Sequence, residues 1–197
     1  MTRDFSTLMQ DMRRCTICEG LELGPNPIFQ LSANARILIV GQAPGRITHA
    51  KNRPFDDPSG ERLRDWLGID RQTFYDDERI GIFPMGLCFP GSGKGGDQPP
   101  RPECAETWRE RALSHLNRID LTVVMGRYAI DWHAPTFARA SVTEAVKGAA
   151  RAGDSLFVLP HPSPRNNRWL RTNLWFENEV VPRLQSRVRA CLGRQGD

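Results

Sequence analysis

Four short apolar runs divide this chain, and each suits a strand that is buried on both faces. They cover Arg36–Val40, Ile80–Met85, Leu121–Gly126 and Ser155–Pro160. The first run is the clearest, because its last four residues are only isoleucine, leucine and valine. The pattern therefore predicts four short buried strands.

Between the strands, apolar spacing and capping residues predict helices. In chain order these cover Phe5–Arg14, a helix capped by Ser59 that runs to Leu67, a short turn capped by Asp70, Glu103–Leu116, a helix from Tyr128, and a tail from Trp169 to Leu192 with a break at Pro182. Phe89–Pro102 is rich in glycine and proline, so we expect an irregular loop, and loops of that length are usually functional. Strands that alternate with helices predict an α/β fold, one domain over residues 1–197, with a mostly parallel four-stranded sheet.

The composition is that of a globular protein with a small excess of positive charge. Of 197 residues, 39% are hydrophobic and 25% are charged, and the net charge is +4 with a pI near 9.0. From His161 to Asp197, seven arginines oppose three acidic residues, which favours an anionic partner. No apolar run has the roughly 20 residues of a membrane helix. Met1–Phe5 lacks the apolar core of a signal peptide, so we expect a cytoplasmic protein.

Four of the five cysteines have a spacing that suits a metal site. Cys15 and Cys18 form a C-x2-C pair, and fifteen residues separate Cys88 from Cys104. Four thiolates suit tetrahedral zinc or an iron–sulfur cluster, and a reducing compartment disfavours disulfides. The alternative is that these are buried apolar cysteines with coincidental spacing. We expect Cys191, in the tail, to be an ordinary core or surface residue.

Two strand ends carry polar residues that indicate a ligand site. Gly41–Gly45 follows the first strand, and His161–Asn167 follows the last. Ligands of open parallel sheets bind beyond the carboxyl ends of the strands, so we expect the two turns to share a site. A histidine there donates to an oxyanion, whereas a core histidine would bond a local carbonyl. The second turn also carries four side chains able to contact phosphate: Ser163, Arg165, Asn166 and Asn167.

Phe55 is a further candidate, because it lies in a polar loop near the first turn. It follows Pro54 and precedes Asp56 and Asp57. A ring held in such a loop suits stacking on a nucleic-acid base. The alternative is a loop aromatic that folds back onto the core.

The ordered motifs C-x2-C, GQAPG, RPF, C-x15-C and HPSPRN together resemble the uracil-DNA glycosylase superfamily. The resemblance extends from about Cys15 to Trp169 and is closest to the iron–sulfur branch, often called family four. HPSPRN is more similar to the single-strand-selective monofunctional branch. The resemblance implies a three-layer α/β/α fold. It also implies a monomeric enzyme of base excision repair that hydrolyses the N-glycosidic bond of uracil or another deaminated base in DNA.

The same resemblance implies roles for individual residues. A [4Fe-4S] cluster would be held by Cys15, Cys18, Cys88 and Cys104, with zinc as the alternative. The base would be bound by Gly41, Gln42, Ala43, Phe55 and His161. DNA would be contacted by Pro162, Ser163, Arg165, Asn166 and Asn167. His161 would donate to the departing base, and the attacking water would be positioned by Gln42 or by a nearby acid, Asp56 or Asp57.

Two positions depart from the family pattern. Gln42 lies where a glutamate is usual, and Pro84 where an asparagine reads the edge of uracil. Proline supplies no side-chain donor or acceptor for that purpose.

Two other classes of function therefore stay open. One is a weakly active or inactive member of the fold that binds nucleic acid. The other is a metalloprotein that acts on a free nucleotide.

Overall fold

A parallel four-stranded sheet lies at the centre of the protein, whose computed structural model describes residues 4–193. The strands in this range are β1 Ile37–Val40, β2 Ile80–Ile82, β3 Ser92–Gly93, β4 Gly96–Asp97, β5 Leu121–Met125 and β6 Leu156–Leu159. Residues 1–3, on which part of the signal-peptide expectation depends, and residues 194–197 lie outside the described range.

The central sheet has the order β2-β1-β5-β6, and β3 and β4 form a separate antiparallel hairpin. Ile37 pairs with Ile80 on one side and Leu121 on the other, so β1 has a neighbour on each side. All four residues of β1 are buried. The predicted α/β fold with a parallel four-stranded sheet is confirmed.

Helices cover both faces of this sheet. They are α1 Phe5–Arg13, α2 Arg46–Lys51, α3 Pro58–Leu67, α4 Arg71–Phe74, α5 Pro102–Leu113, α6 Arg127–His133, α7 Val142–Ala152, α8 Asn167–Thr172 and α9 Val181–Leu192. Short 3₁₀ turns cover Pro135–Phe137 and Pro164–Asn166, and a π-helical segment covers Phe176–Val180. Right-handed crossovers place α3 and α9, which contact each other, on the face opposite α5 and α7, which gives three layers. None of the helices in the described range is long and apolar enough to cross a membrane.

Several element boundaries differ from the sequence prediction. Asp57, not Ser59, caps α3, because its carboxylate accepts the Gly60 N–H at 2.8 Å. The tail breaks at Asn173, whereas the chain stays helical through Pro182, which lies in the first turn of α9 directly after the π-helical segment Phe176–Val180. The loop Phe89–Pro102 is not wholly irregular, since it contains the β3–β4 hairpin.

A buried arginine fixes the chain where it leaves β2. Arg109 of α5 is 1% exposed, and its Nη2 donates to the carbonyls of Phe83 and Pro84, each at 2.8 Å. Its Nη1 lies 2.7 Å from Nε2 of His133. Burial and the neighbouring guanidinium lower the pKa of His133 to about 4, so the imidazole is neutral and accepts the bond. Burial lowers the pKa of Arg109 to about 10, which leaves it charged at neutral pH.

We expect Arg109→Met to lower the free energy of unfolding by about 3 kcal/mol or more, because two buried carbonyls lose a charged donor. The matched control is Arg111→Met on the same helix, where the exposed guanidinium donates to the Thr107 carbonyl at 3.5 Å and lies over the Trp108 ring at 4.9 Å. Urea denaturation of both variants measures the difference. Equal losses in the two variants would contradict this role for Arg109.

Candidate active site

A cavity of about 460 Å³ opens where all four central strands end. Gly41 follows β1, Pro84 lies just beyond β2, Gly126 follows β5 and His161 lies just beyond β6, and each of these residues lines the cavity. This is the edge at which parallel sheets bind ligands. The prediction that the first and last strand ends share one cavity is confirmed by these positions.

Most residues predicted to contact the base or DNA line this cavity. They are Gly41, Gln42, Ala43, Phe55, His161, Ser163, Arg165 and Asn166. Pro162 is buried and Asn167 begins α8, and neither belongs to the lining. A contact between Pro162 and DNA does not fit that burial.

The turn after β1 is held from behind by the chain that leaves β2. The Met85 amide donates to the Gly41 carbonyl and the Gly86 amide to the Gln42 carbonyl, both at 2.9 Å. Among the described residues, no acceptor pairs with the amides of Gln42 and Ala43. These two amides are therefore available to carbonyl oxygens of a ligand.

Phe55 is a rigid wall of the cavity. Its backbone has a φ of 53°, and its carbonyl accepts a bond from Arg64 Nη1 at 3.3 Å. A Cβ at Gly60 would lie 1.8 Å from the Phe55 carbonyl oxygen, so the approach of α3 to this loop requires glycine there. The ring packs edge-on against Phe74 at 6.2 Å and lies next to Gly41. Phe55 thus contacts the core and lines the cavity at the same time.

His161 offers a neutral N–H donor to the cavity. Its Nδ1 accepts the Ser163 N–H at 3.2 Å, which assigns the ring proton to Nε2. Burial lowers the pKa of His161, and this outweighs Asp57 and Asp97, which raise it. The imidazole is therefore uncharged at neutral pH.

The backbone carbonyls of the turn that carries His161 accept hydrogen bonds from two side chains. Asn166 Nδ2 donates to the His161 carbonyl at 2.7 Å. Arg62 Nη1 donates to the carbonyls of Pro162 and Ser163, each at 3.2 Å. Arg165 reaches the β3–β4 hairpin, where its Nη1 donates to the Gly95 carbonyl at 3.2 Å. This turn is consequently joined to both α3 and the hairpin.

Of the two acids predicted near the first turn, Asp57 lines the cavity and Asp56 does not. Asp56 does not line it, because its carboxylate pairs with Arg71 at 2.9 Å and Lys51 at 3.7 Å. Those contacts lower the pKa of Asp56 and direct it away from the site. Asp57 and Asp97 line the cavity instead. The sequence carries one signal for Asp97, the long glycine- and proline-rich loop in which it lies, and that signal does not distinguish it from its neighbours.

The four cysteines of the predicted metal site come together around a second, smaller cavity. Cys15, Cys18, Cys88 and Cys104 all line it. Two receive N–H donors, from Leu87 N to Cys104 Sγ and from Trp108 Nε1 to Cys15 Sγ, both at 3.3 Å. Burial raises the pKa of Cys88 to about 11 and that of Cys104 to about 12, and neighbouring cysteines add to the shift.

The chemistry of this donor set fits zinc or an iron–sulfur cluster, because four sulfurs line one cavity and two are already hydrogen-bonded. In the described part of the chain, however, no three His, Cys, Asp or Glu side chains are arranged to hold a single metal ion. Cys191 is buried apart from this cavity and does not line it.

The fold and this cavity define an α/β protein with a ligand site at the carboxyl ends of its parallel strands. The model of the Uracil DNA glycosylase superfamily matches residues 28–185, which is most of the chain, and the protein belongs to that superfamily. A solution NMR structure of a candidate uracil DNA glycosylase from Methanosarcina acetivorans is also similar, at 19% sequence identity and a TM-score of 0.48. That match covers 82% of this chain and 98% of the other.

At pH 7.5 we expect His161 to be neutral and protonated at Nε2. Because burial lowers its pKa below the ordinary value of 6.5, the uncharged ring predominates at pH 7.5. Long-range ¹⁵N–¹H correlation spectra of the imidazole distinguish the two tautomers and the charged form. An imidazolium or an Nδ1–H tautomer at this pH would contradict the assignment.

Proposed function

We propose that this protein is a DNA glycosylase that hydrolyses the N-glycosidic bond of uracil or another deaminated base in DNA. One observation carries the proposal: Phe55 and a neutral His161 with an Nε2 donor line the same cavity. Membership of the superfamily supports a glycosylase at the level of the family.

The cavity suits a single flipped-out nucleotide. Its volume of about 460 Å³ lies within the range of small-molecule sites, about 300–1,000 Å³. A base inside a duplex cannot reach such a cavity, so the target nucleotide leaves the stack before it binds. The fixed ring of Phe55 then stacks on the base, and the amides of Gln42 and Ala43 donate to its carbonyl oxygens.

His161 would act on the departing base. When the bond between C1′ and the base nitrogen breaks, negative charge develops on the base and positive charge on the sugar. A neutral N–H donor placed at the base oxygen stabilises that charge without a prior proton transfer, and such donors are commonly worth about 3–4 kcal/mol.

The turn that carries His161 also supplies the contacts to DNA. Ser163, Arg165 and Asn166 line the cavity and offer donors to phosphate oxygens. The excess of arginine in the last part of the chain favours the same partner.

The base is read mainly through the backbone in this proposal. Pro84 lies in the cavity wall, and its carbonyl is already bonded to Arg109. It therefore offers the base no polar group, which distinguishes this site from one that reads uracil with an asparagine.

We expect the protein to release a base from at least one oligonucleotide that carries uracil, hypoxanthine or xanthine. His161→Ala should lose 100-fold or more of the single-turnover rate, in line with about 3 kcal/mol for the lost donor. The measurement is cleavage of the abasic product by alkali. His115→Ala is the matched control, because His115 packs against Phe5 away from the cavity.

The same set of oligonucleotides distinguishes a glycosylase from the two other classes of function. Tight binding of these oligonucleotides without release of any base would favour a non-catalytic nucleic-acid-binding protein. Binding that does not depend on DNA length, with a shallow dependence on salt, would favour a protein that acts on free nucleotides.

We also propose that Cys15, Cys18, Cys88 and Cys104 hold a [4Fe-4S] cluster, as in the iron–sulfur branch that the motifs resemble. The cluster would join α1, the chain after β2 and α5, and its contribution would be structural. The glycosylase chemistry does not pass through it.

Protein isolated without oxygen should contain iron and acid-labile sulfide in equal amounts and absorb broadly in the visible range. Cys88→Ser should lose both, whereas Cys191→Ala, which changes a buried cysteine outside the cavity, should keep them. Zinc without sulfide would establish the alternative metal. Protein that holds neither metal would contradict any metal site.

A further inference from the structure

A carboxylate near the sugar accelerates hydrolysis of an N-glycosidic bond. The carboxylate stabilises the positive charge that develops there, and it accepts a proton from the attacking water. The turn after β1 offers Gln42, whose amide cannot accept a proton at neutral pH. A carboxylate for this role would therefore come from another part of the cavity.

Two carboxylates line the cavity, and their surroundings differ. Asp57 already accepts the Gly60 N–H at 2.8 Å as the cap of α3. That hydrogen bond engages the Asp57 carboxylate as the cap of the helix. The Asp97 carboxylate accepts no hydrogen bond from any group in residues 4–193, and Asp97 is an exposed residue of the cavity lining.

Asp97 lies directly against the turn after β1. Its Oδ2 would be 3.3 Å from a Cβ placed on Gly45, so the carboxylate occupies the space beside that glycine. Asp97 also acts electrostatically on His161, as does Asp57. The carboxylate is thus near both the turn and the imidazole, although it lies more than fifty residues from each along the chain.

The hairpin that carries Asp97 is anchored on several sides. Gln42 Nε2 donates to the carbonyl of Gln98, the next residue, at 3.0 Å. Arg165 holds the Gly95 carbonyl, and the Ser92 amide donates to Glu22 Oε2 at 2.9 Å. A glutamate at position 42 could not donate to the Gln98 carbonyl, so the glutamine itself positions the hairpin.

We propose that Asp97 is the catalytic carboxylate of this enzyme, and that Gln42 positions it through the Gln98 carbonyl. This inference rests on the glycosylase function proposed above. The bond between C1′ and the base nitrogen breaks, and its electron pair leaves with the base. The water oxygen bonds to C1′ while one water proton passes to Asp97. The base anion takes up a proton from solvent, and Asp97 later returns its proton there.

The test uses single-turnover kinetics on the panel oligonucleotide that the wild-type protein cleaves fastest. Asp97→Asn should lose at least about 100-fold in rate, as expected for a missing general base. Its affinity for the same oligonucleotide with a 2′-fluoro group, which resists cleavage, should stay within about threefold of wild type. Asp97→Glu should recover part of the rate. Asp77→Asn, an exposed change outside the cavity, should leave the rate unchanged.

Asp57→Asn is measured in parallel, because Asp57 is the other candidate. A rate for Asp97→Asn close to wild type, or a loss that merely follows weaker binding, would overturn the role of Asp97 and leave the glycosylase function intact. A large loss in Asp57→Asn alone would assign the role to Asp57. Failure of the wild-type protein on every oligonucleotide would instead overturn the proposed function.

Discussion

The buried guanidinium of Arg109 connects the two chemical sites of this protein. A desolvated cation needs acceptors on all sides, and here the Phe83 carbonyl, the Pro84 carbonyl and His133 supply them. Its Nε has no partner in the described range, so these three contacts provide the compensation. These acceptors lie on two other segments, the end of β2 and α6. Arg109 therefore holds both segments against α5 in a single arrangement.

That arrangement reaches both cavities through a few residues. Cys104 lies one and a half turns before Arg109 on α5, so the helix that holds the Pro84 carbonyl also carries a cysteine of the smaller cavity. Beyond Pro84, the Gly86 amide supports the turn at Gln42, and the chain then enters the smaller cavity at Cys88. A metal group there would brace the chain that supports the turn after β1 in the main cavity.

The sequence predicts those parts of the site that depend on local pattern and sheet geometry. Ile37–Val40 is a buried strand by composition alone, and parallel strands bring their ends together, so the meeting of Gly41 and His161 is predictable. The sequence does not predict which of two neighbouring aspartates lines the cavity. Asp56 and Asp57 differ only in which one caps α3 and which one meets Arg71, and that depends on how the helix begins. Asp97 is harder still, because its position depends on Gln42, Arg165 and Glu22, all distant along the chain.

In the proposed glycosylase reaction, the transition state carries two opposite charges, and the main cavity offers a group to each. The sugar becomes positive and the base negative, so a good site offers a carboxylate to one and a donor to the other. An imidazolium would form an ion pair with a nearby carboxylate, and the two charges would neutralise each other. Burial prevents this, since it keeps His161 uncharged despite Asp57 and Asp97. The burial of the histidine and the exposed carboxylate of Asp97 are therefore parts of one electrostatic arrangement.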